Sequence, residues 1–387
     1  MSNEKHGKMW LRLMIGGGIA LAIAKLAGHS LPGWIHTTLM GLGGLAVVFG
    51  SSEVMIEAVE GYAAKKKMST FVAGTMAGLA SNIPELVMLG FVLAATPIVG
   101  FVVSVLTLHV GAAAFGLYCG FLPRDVEGQA SMPKPLVKLS TDLYAAAAGA
   151  FFSIGTIFVL MNSFSVSGQD VAEIGASDLY VMGACLLLVQ VVAVTRLVKR
   201  FSGGGVDAEN QPAPDTTHAG MGMGTIVGYS IIGLIGAVIG GHSVGDFATV
   251  LVASLNEAGY SEMFGAMILS AFSASGAFVM IGTAHFKGKY DIAMANASGA
   301  VTQVPFLVLP IAFIMLAIFS QTGVIATLPH GGVIPIDIHS TSAILLGFPS
   351  MLILWKAVQD DGKVNWLETT SMISIFFLVM YLMVAHG

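Results

Sequence analysis

The chain has 387 residues, 55% of them hydrophobic and 10% charged, with a net charge of −5 and a mean hydropathy of +0.84. A water-soluble chain carries about a quarter charged residues, so composition excludes a soluble domain and implies an all-α polytopic membrane protein in a lipid bilayer. The small net charge, without a basic run, excludes nucleic acid as a partner. Cys119 and Cys185 lie in apolar segments with neither CxxC nor Cys/His spacing, so neither a disulfide nor a zinc site is implied.

Apolar segments fall at roughly 9–29, 36–63, 69–95, 98–121, 139–163, 176–199, 224–256, 262–284, 289–318, 335–356 and 365–385, eleven candidate spans. The first follows a basic start but lacks a small-residue cleavage site, and reads as a retained span rather than a signal peptide. Lysine and arginine collect in cytoplasmic connections. Of the 17 basic residues, all but Lys25 cluster about the start of the first span or about the end of an even-numbered one. The N-terminus is therefore expected in the cytoplasm and the C-terminus outside.

Residues 202–223, SGGGVDAENQPAPDTTHAGMGM, have linker composition. The expected organisation is a tail and extra helix over 1–35, a five-helix unit over 36–200, a cytoplasmic linker over 201–223 and a second five-helix unit over 224–387. With five spans each, the two units start on opposite sides of the membrane, as in inverted-repeat transporters. Ordered matches support the duplication: Ser69 with Ser261, Ala73 with Gly265, Ser81 with Ser273 and Val87 with Val279 share one shift.

The third span carries the densest polar chemistry, Ala80-Ser81-Asn82-Ile83-Pro84-Glu85-Leu86-Val87. A carboxylate at that depth normally faces a partner or a water-filled cavity. Pro84 removes a backbone donor and leaves carbonyls near Ala80 without helical partners, so a cation site in a broken helix is expected. The bland alternative is a kinked span whose Glu85 is protonated or paired for packing. On span two, Glu53, Glu57 and Glu60 share one helical face. Glu60 lies at the end beside Lys65, whereas Glu53 and Glu57 lie deeper and could line a vestibule or pair with span seven, where Asp246 sits. In the second unit Ser273-Ala274-Ser275-Gly276-Ala277 answers Ser81 to Glu85 without a carboxylate. Asn296, Ser298, Thr302 and Gln303 follow on span nine, and Ser104, Thr107 and His109 occupy the equivalent segment of the first unit. A lone histidine such as His109 is more often a packed residue than a ligand, and Asp291 reads as interfacial.

These segments resemble the two alpha repeats of the calcium/cation antiporter superfamily, which includes the sodium/calcium exchangers. Ala80 to Val87 is similar to its Gly-Thr-Ser-x-Pro-Glu signature, Asp291 to Gly299 to the approach to its second signature, and Gly50-Ser51-Ser52-Glu53 to a Ser-Ala-Asp motif. The resemblance spans roughly 36–386 and implies a ten-helix inverted repeat plus the extra first helix. It also implies a cation-binding set of Glu85, Asn82, Ser81, Ser273, Ser275, Asn296 and Ser298. Glu53, Glu57, Asp246, Thr302, Gln303 and His109 are the gating or secondary candidates. The second repeat is degenerate. Its glutamate position is Ala277, and the downstream ligand positions fall near Gly116 and Val304. Calcium takes six to eight oxygens, usually with several carboxylates, so one glutamate as metal ligand suits a monovalent cation or a proton better.

The implied function is secondary antiport of Na+, H+ or Ca2+ through Glu85, with no cofactor. The rival is a transport-inactive membrane scaffold or sensor that retains the fold. An intramembrane enzyme is not indicated, since HExxH, GxSxG and paired aspartates are missing from the spans.

Overall fold

The computed structural model describes residues 9–386 apart from 28–29, 67, 69, 165–171, 202–219, 287, 289 and 360–361. The linker expected over 201–223 thus lies almost wholly outside the described residues. The chain is helical and divides into two compact units, each drawing on both halves of the sequence.

Unit one comprises residues 1–96 and 194–260. It contains α1 (Met9–Ala27), α2 (Gly33–Lys65), α3 (Thr70–Ala95) and α7 (Met223–Glu257). Glycines decide how closely these helices pack. A Cβ added at Gly44 would lie 2.9 Å from the Gly240 carbonyl oxygen, and one at Gly240 would lie 2.6 Å from the Gly44 carbonyl oxygen. The two backbones are therefore in direct contact, the small-residue packing of membrane helices. Gly17 on α1 meets the Gly43 carbonyl, and Gly241 and Gly245 on α7 meet Met88 and Phe91 of α3. The contacts pair Gly41 with Phe247 and Gly61 with Ile226, so α2 and α7 run antiparallel, whereas α3 runs parallel to α7.

Unit two comprises residues 97–193 and 261–387. It holds α4 (Pro97–Phe121), α5 (Lys134–Ser163), α6 (Ala176–Phe201, to Ala193), α8 (Glu262–Ser273), α9 (Ser275–Phe286), α10 (Tyr290–Gln303), a π-helical turn (Val304–Val308), α11 (Leu309–Gln321), α12 (Ile338–Leu345), α13 (Gly347–Gln359) and α14 (Trp366–His386). Helix α4 forms its core: Phe101, Val105, Leu108, Ala112, Phe115 and Cys119 are fully buried.

Two short antiparallel clips lie at opposite ends of α5. β1 (Ala130–Ser131) pairs with β4 (Lys363–Val364), and β2 (Ala172–Ile174) pairs with β3 (Ile334–Ile336). Arg124 fastens the first clip, donating to the carbonyls of Cys119 (3.0 Å), Gly128 (2.9 Å) and Val364 (3.1 Å) and to Thr369 Oγ1 (2.9 Å). Its guanidinium also lies 3.8 Å from the Trp366 ring centroid. At the other clip Glu173 accepts from the Gly332 amide at 2.9 Å.

Among the described residues ten helical stretches are long and apolar enough to cross a membrane, α10 to α11 and α12 to α13 each counting as one. The interrupted pair α8 and α9 fills the remaining expected span. The protein is an integral multi-pass membrane protein.

Two outcomes test this packing. Gly240→Ala forces a methyl against the Gly44 carbonyl and should lower the melting temperature in detergent. Gly228→Ala, on the same helix but with open space at its Cβ position, should leave it unchanged or raise it. Asp125, exposed in the connection after α4, accepts from the Gln129 amide (2.9 Å), Lys363 Nζ (3.0 Å) and the Glu127 amide (3.0 Å). The Gln129 bond first, then Lys363, holds its carboxyl below the usual aspartate value. A depressed folded-state value gives stability that is complete above the unfolded value and lost as pH falls through the folded one. Melting followed from about pH 6 down to about pH 3 should therefore show a decline that Asp125→Asn reduces.

Candidate functional site

Helix α3 runs unbroken from Thr70 to Ala95 with Pro84 inside it, so the expected break at Pro84 does not occur. Proline removes one donor, that for the Ala80 carbonyl, and its neighbour is supported from α2. Ser52 Oγ donates to the Ser81 carbonyl at 3.3 Å, shared with the Val48 carbonyl of its own helix at 3.2 Å. Ser81 Oγ donates to the Gly78 carbonyl at 2.7 Å. A hydroxyl whose proton is committed to a carbonyl keeps its lone pairs as acceptors, so both serine oxygens retain acceptor capacity. Asn82 is buried and Glu85 half-buried.

On α2, Ser51 is fully buried and bonded to the Val47 carbonyl at 2.8 Å. Glu53 and Glu57 are half-buried. Of the two roles expected for this acidic face, lining a vestibule or pairing with span seven at Asp246, the pairing is not made. The α2–α7 crossing centres on Gly44 and Gly240. Because the helices are antiparallel, Glu53 and Asp246 lie on opposite sides of it, ~20 Å apart along the axis at 1.5 Å per residue. Asp246 instead sits 3.9 Å from His242 on its own helix, both exposed.

In unit two the interruption falls where the sequence has no proline. α8 ends at Ser273 and α9 begins at Ser275. Ser273 is half-buried. Ser270 Oγ, one turn earlier, donates to the Ala266 carbonyl (2.7 Å) and the Val103 carbonyl of α4 (3.1 Å). On α10 Asn296 is half-buried, and Ser298, Thr302 and Gln303 are buried. Ser298 Oγ lies 2.7 Å from Ser140 Oγ and 2.8 Å from the Tyr144 hydroxyl, both on α5. Two of its three hydrogen-bonding positions are thereby taken. Thr302 Oγ1 donates to the Ser298 carbonyl at 3.0 Å. The π-helical turn with Pro305 follows directly after Gln303; such turns interrupt the regular ladder and recur at functional sites.

His109 is buried on α4. Its Nε2 lies 3.1 Å from the Ala343 carbonyl and its Nδ1 3.4 Å from Ser350 Oγ. A carbonyl only accepts, so Nε2 carries the proton and Nδ1 accepts from the serine. Both nitrogens are engaged at the break between α12 and α13, in keeping with a packed histidine.

The expected ligands thus divide by unit: Ser81, Asn82 and Glu85 in unit one, and Ser273, Ser275, Asn296 and Ser298 in unit two. Among the described residues no three His, Cys, Asp or Glu side chains come together to hold a metal ion. Sequence reasoning missed three features: the Ser52 bond to α3, the Ser140 and Tyr144 partners of Ser298, and His242 beside Asp246. Only the last was legible, as an i, i+4 pair within an apolar run.

Comparison with known proteins adds the following. The profile of the family described as "Sodium/calcium exchanger protein" matches residues 218–385, so the family pattern is strongest in the half that lacks the second glutamate. A Ca(2+)/H(+) antiporter, ChaA, of Bacillus subtilis (strain 168) is 24% identical over 240 residues, covering 59% of this chain and 60% of that protein's length. Among solved structures, the H+/Ca2+ exchanger CAX aligns with a TM-score of 0.68 at 14% identity, over 99% of this chain and 92% of that one. Native YfkE aligns with a TM-score of 0.60 at 16% identity, over 97% of this chain and 100% of that one. The sodium-calcium exchanger NCX_Mj aligns with a TM-score of 0.53 at 14% identity, over 89% of this chain and 97% of that one. These relatives are described as exchangers or antiporters, not as enzymes. The profile thus matches less than half of the chain, and the solved structures share its fold over nearly its whole length.

Proposed function

We propose that this chain is a secondary cation antiporter whose binding site is centred on Glu85. The observation that carries the reading is the convergence of α2 on α3 at Pro84: Ser52 bonds the Ser81 carbonyl beside the buried Asn82 and the half-buried Glu85. Ser81, Asn82 and Glu85 put a hydroxyl, an amide and a carboxylate, all hard oxygen ligands, within about one turn of α3. In apolar surroundings the charge on Glu85 is most stable when a cation or a proton neutralises it. Glu85 then alternates between cation-bound and protonated forms, and helix movement exposes it to each side in turn.

In the sequence, the corresponding segment of the second half has Ser273, Ser275, Asn296 and Ser298 but no carboxylate, Ala277 standing at the glutamate position. One carboxylate balances one positive charge, so Na+ or H+ fits the site better than Ca2+. The relatives described above carry Ca2+ with H+ or Na+ in their names, which makes Ca2+ the necessary third ion in any assay. By the distribution of lysine and arginine, the N-terminus is cytoplasmic and the C-terminus outside.

Ion-driven flux in proteoliposomes tests the site. Glu85→Gln should lower exchange by at least ~tenfold, the scale of ~1.4 kcal/mol, with Glu85→Asp intermediate. Unchanged exchange by Glu85→Gln would remove Glu85 from the site.

A second reading, a scaffold that kept the fold and lost transport, draws on Ala277 and on the lack of a three-ligand group among the described residues. Thermal melting separates the two, because an ion that binds the folded state stabilises it, by ~2.7 kcal/mol at a hundred times its Kd. An antiporter should show a rise with Na+, K+, Ca2+, Mn2+ or lowered pH that Glu85→Gln abolishes. A flat response to all of them favours the scaffold.

A further inference from the structure

Helix α7 carries a face that changes character halfway along. Ile231, Ile235 and Val238 occupy it over the first half and are exposed, as lipid contact requires. The same face continues through His242, Asp246, Thr249 and Asn256 to Glu257, all exposed. The side chains of His242 and Asp246 are 60% and 55% exposed, near the middle of a 35-residue helix. A histidine and a carboxylate so placed cannot face hydrocarbon without a large penalty. The polar half of the face must therefore be wet, and the apolar half need not be.

The pair is held beside α3. The His242 ring lies 5.4 Å from that of Phe91, and Gly241 and Gly245 pack on Met88 and Phe91. Since α3 and α7 are parallel and Met88 is level with Gly241, Glu85 is level with about residue 238. His242 therefore stands ~6 Å further along the axis. No titratable group of α3 intervenes between Glu85 and Thr96. On α2 the segment opposite the pair, Gly41 to Leu45, carries none, and the nearest are His36 and Glu53. Beyond Asp246 on α7 the next is Glu257. The imidazole thus has one carboxylate beside it and one carboxylate within reach along the helix pair.

We propose that a water-filled inlet follows α7 from its Glu257 end to mid-membrane and stops at His242 and Asp246, which form a proton-loading site for exchange at Glu85. Histidine is the side chain suited to taking up and releasing a proton in the physiological pH range, and Asp246 is the carboxylate beside it. A hydronium ion in the inlet gives its proton to the imidazole nitrogen and becomes water, one O–H bond breaking as one N–H bond forms; the proton later leaves to water or towards the Glu85 carboxylate. This rests on the antiport reading above for its role, but not for the inlet.

Two measurements test it in full-length protein in proteoliposomes. In a Cys185→Ser background, with Cys119 buried, a charged methanethiosulfonate reagent should label Asp246→Cys and Thr249→Cys and spare Ile231→Cys and Ile235→Cys. Labelling of neither polar position, or of all four alike, overturns the inlet. His242→Gln should then retain exchange but shift the pH of half-maximal rate by about one unit, tenfold in proton activity, or flatten the profile near neutrality. Thr249→Ala, on the same face without a titrating group, should leave that pH unchanged. An unshifted profile in His242→Gln overturns proton loading while the antiport reading stands. Wild-type protein without exchange at any pH overturns that reading together with the loading role.

Discussion

The hydrocarbon of a bilayer holds no water to satisfy a backbone group, so an irregularity in a spanning helix must find its partner within the protein or in a water-filled cavity. That constraint organises this structure. Where Pro84 disturbs α3, the hydroxyl of Ser52 reaches across from α2. Where the chain breaks between α12 and α13, the imidazole of His109 meets the Ala343 carbonyl. One turn before the break between α8 and α9, Ser270 binds the Val103 carbonyl. Each of these three places is thus joined to a neighbouring helix by a polar side chain. Such points are also where oxygen ligands become available to a cation.

A second consequence concerns distance. Side chains as short as serine can reach another helix only if the backbones are close. In unit one Gly44 and Gly240 provide that approach for α2 and α7, and Gly241 and Gly245 provide it for α7 and α3. The glycine content that composition records as a general feature is therefore local in effect. It brings α7 alongside both α2, which carries Ser52, and α3, which carries Glu85.

The positions of the spans were legible, because about twenty apolar residues per crossing and the placement of lysine and arginine are properties of composition. The importance of Ser81 to Glu85 was legible too, from the rarity of a carboxylate in such a run. The conformation of that stretch was not. Pro84 predicts an interrupted helix, yet α3 continues, while the break appears at Ala274 in a segment without proline. A single lost donor is tolerated where a neighbour compensates, and the sequence does not name the neighbour. Of the two expectations for the Glu53 face, lining a vestibule or pairing near Asp246, the pairing is not made for a related reason: similar offsets in α2 and α7 become opposite ends once the helices pack antiparallel.

By itself, then, the sequence determined that this is a many-spanning helical membrane protein, where its crossings lie, and that Glu85 is an unusual charge needing a reason. Those conclusions follow from transfer free energies and local periodicity, which depend on each segment alone. The tertiary structure decided which polar groups satisfy one another. It joined Ser52 to Ser81, engaged Ser298 with Ser140 and Tyr144, tied both nitrogens of His109, and left His242 and Asp246 exposed in the middle of α7. Hydrogen bonds act over about 3 Å and depend on direction, so they are fixed by how helices distant in sequence come to lie together.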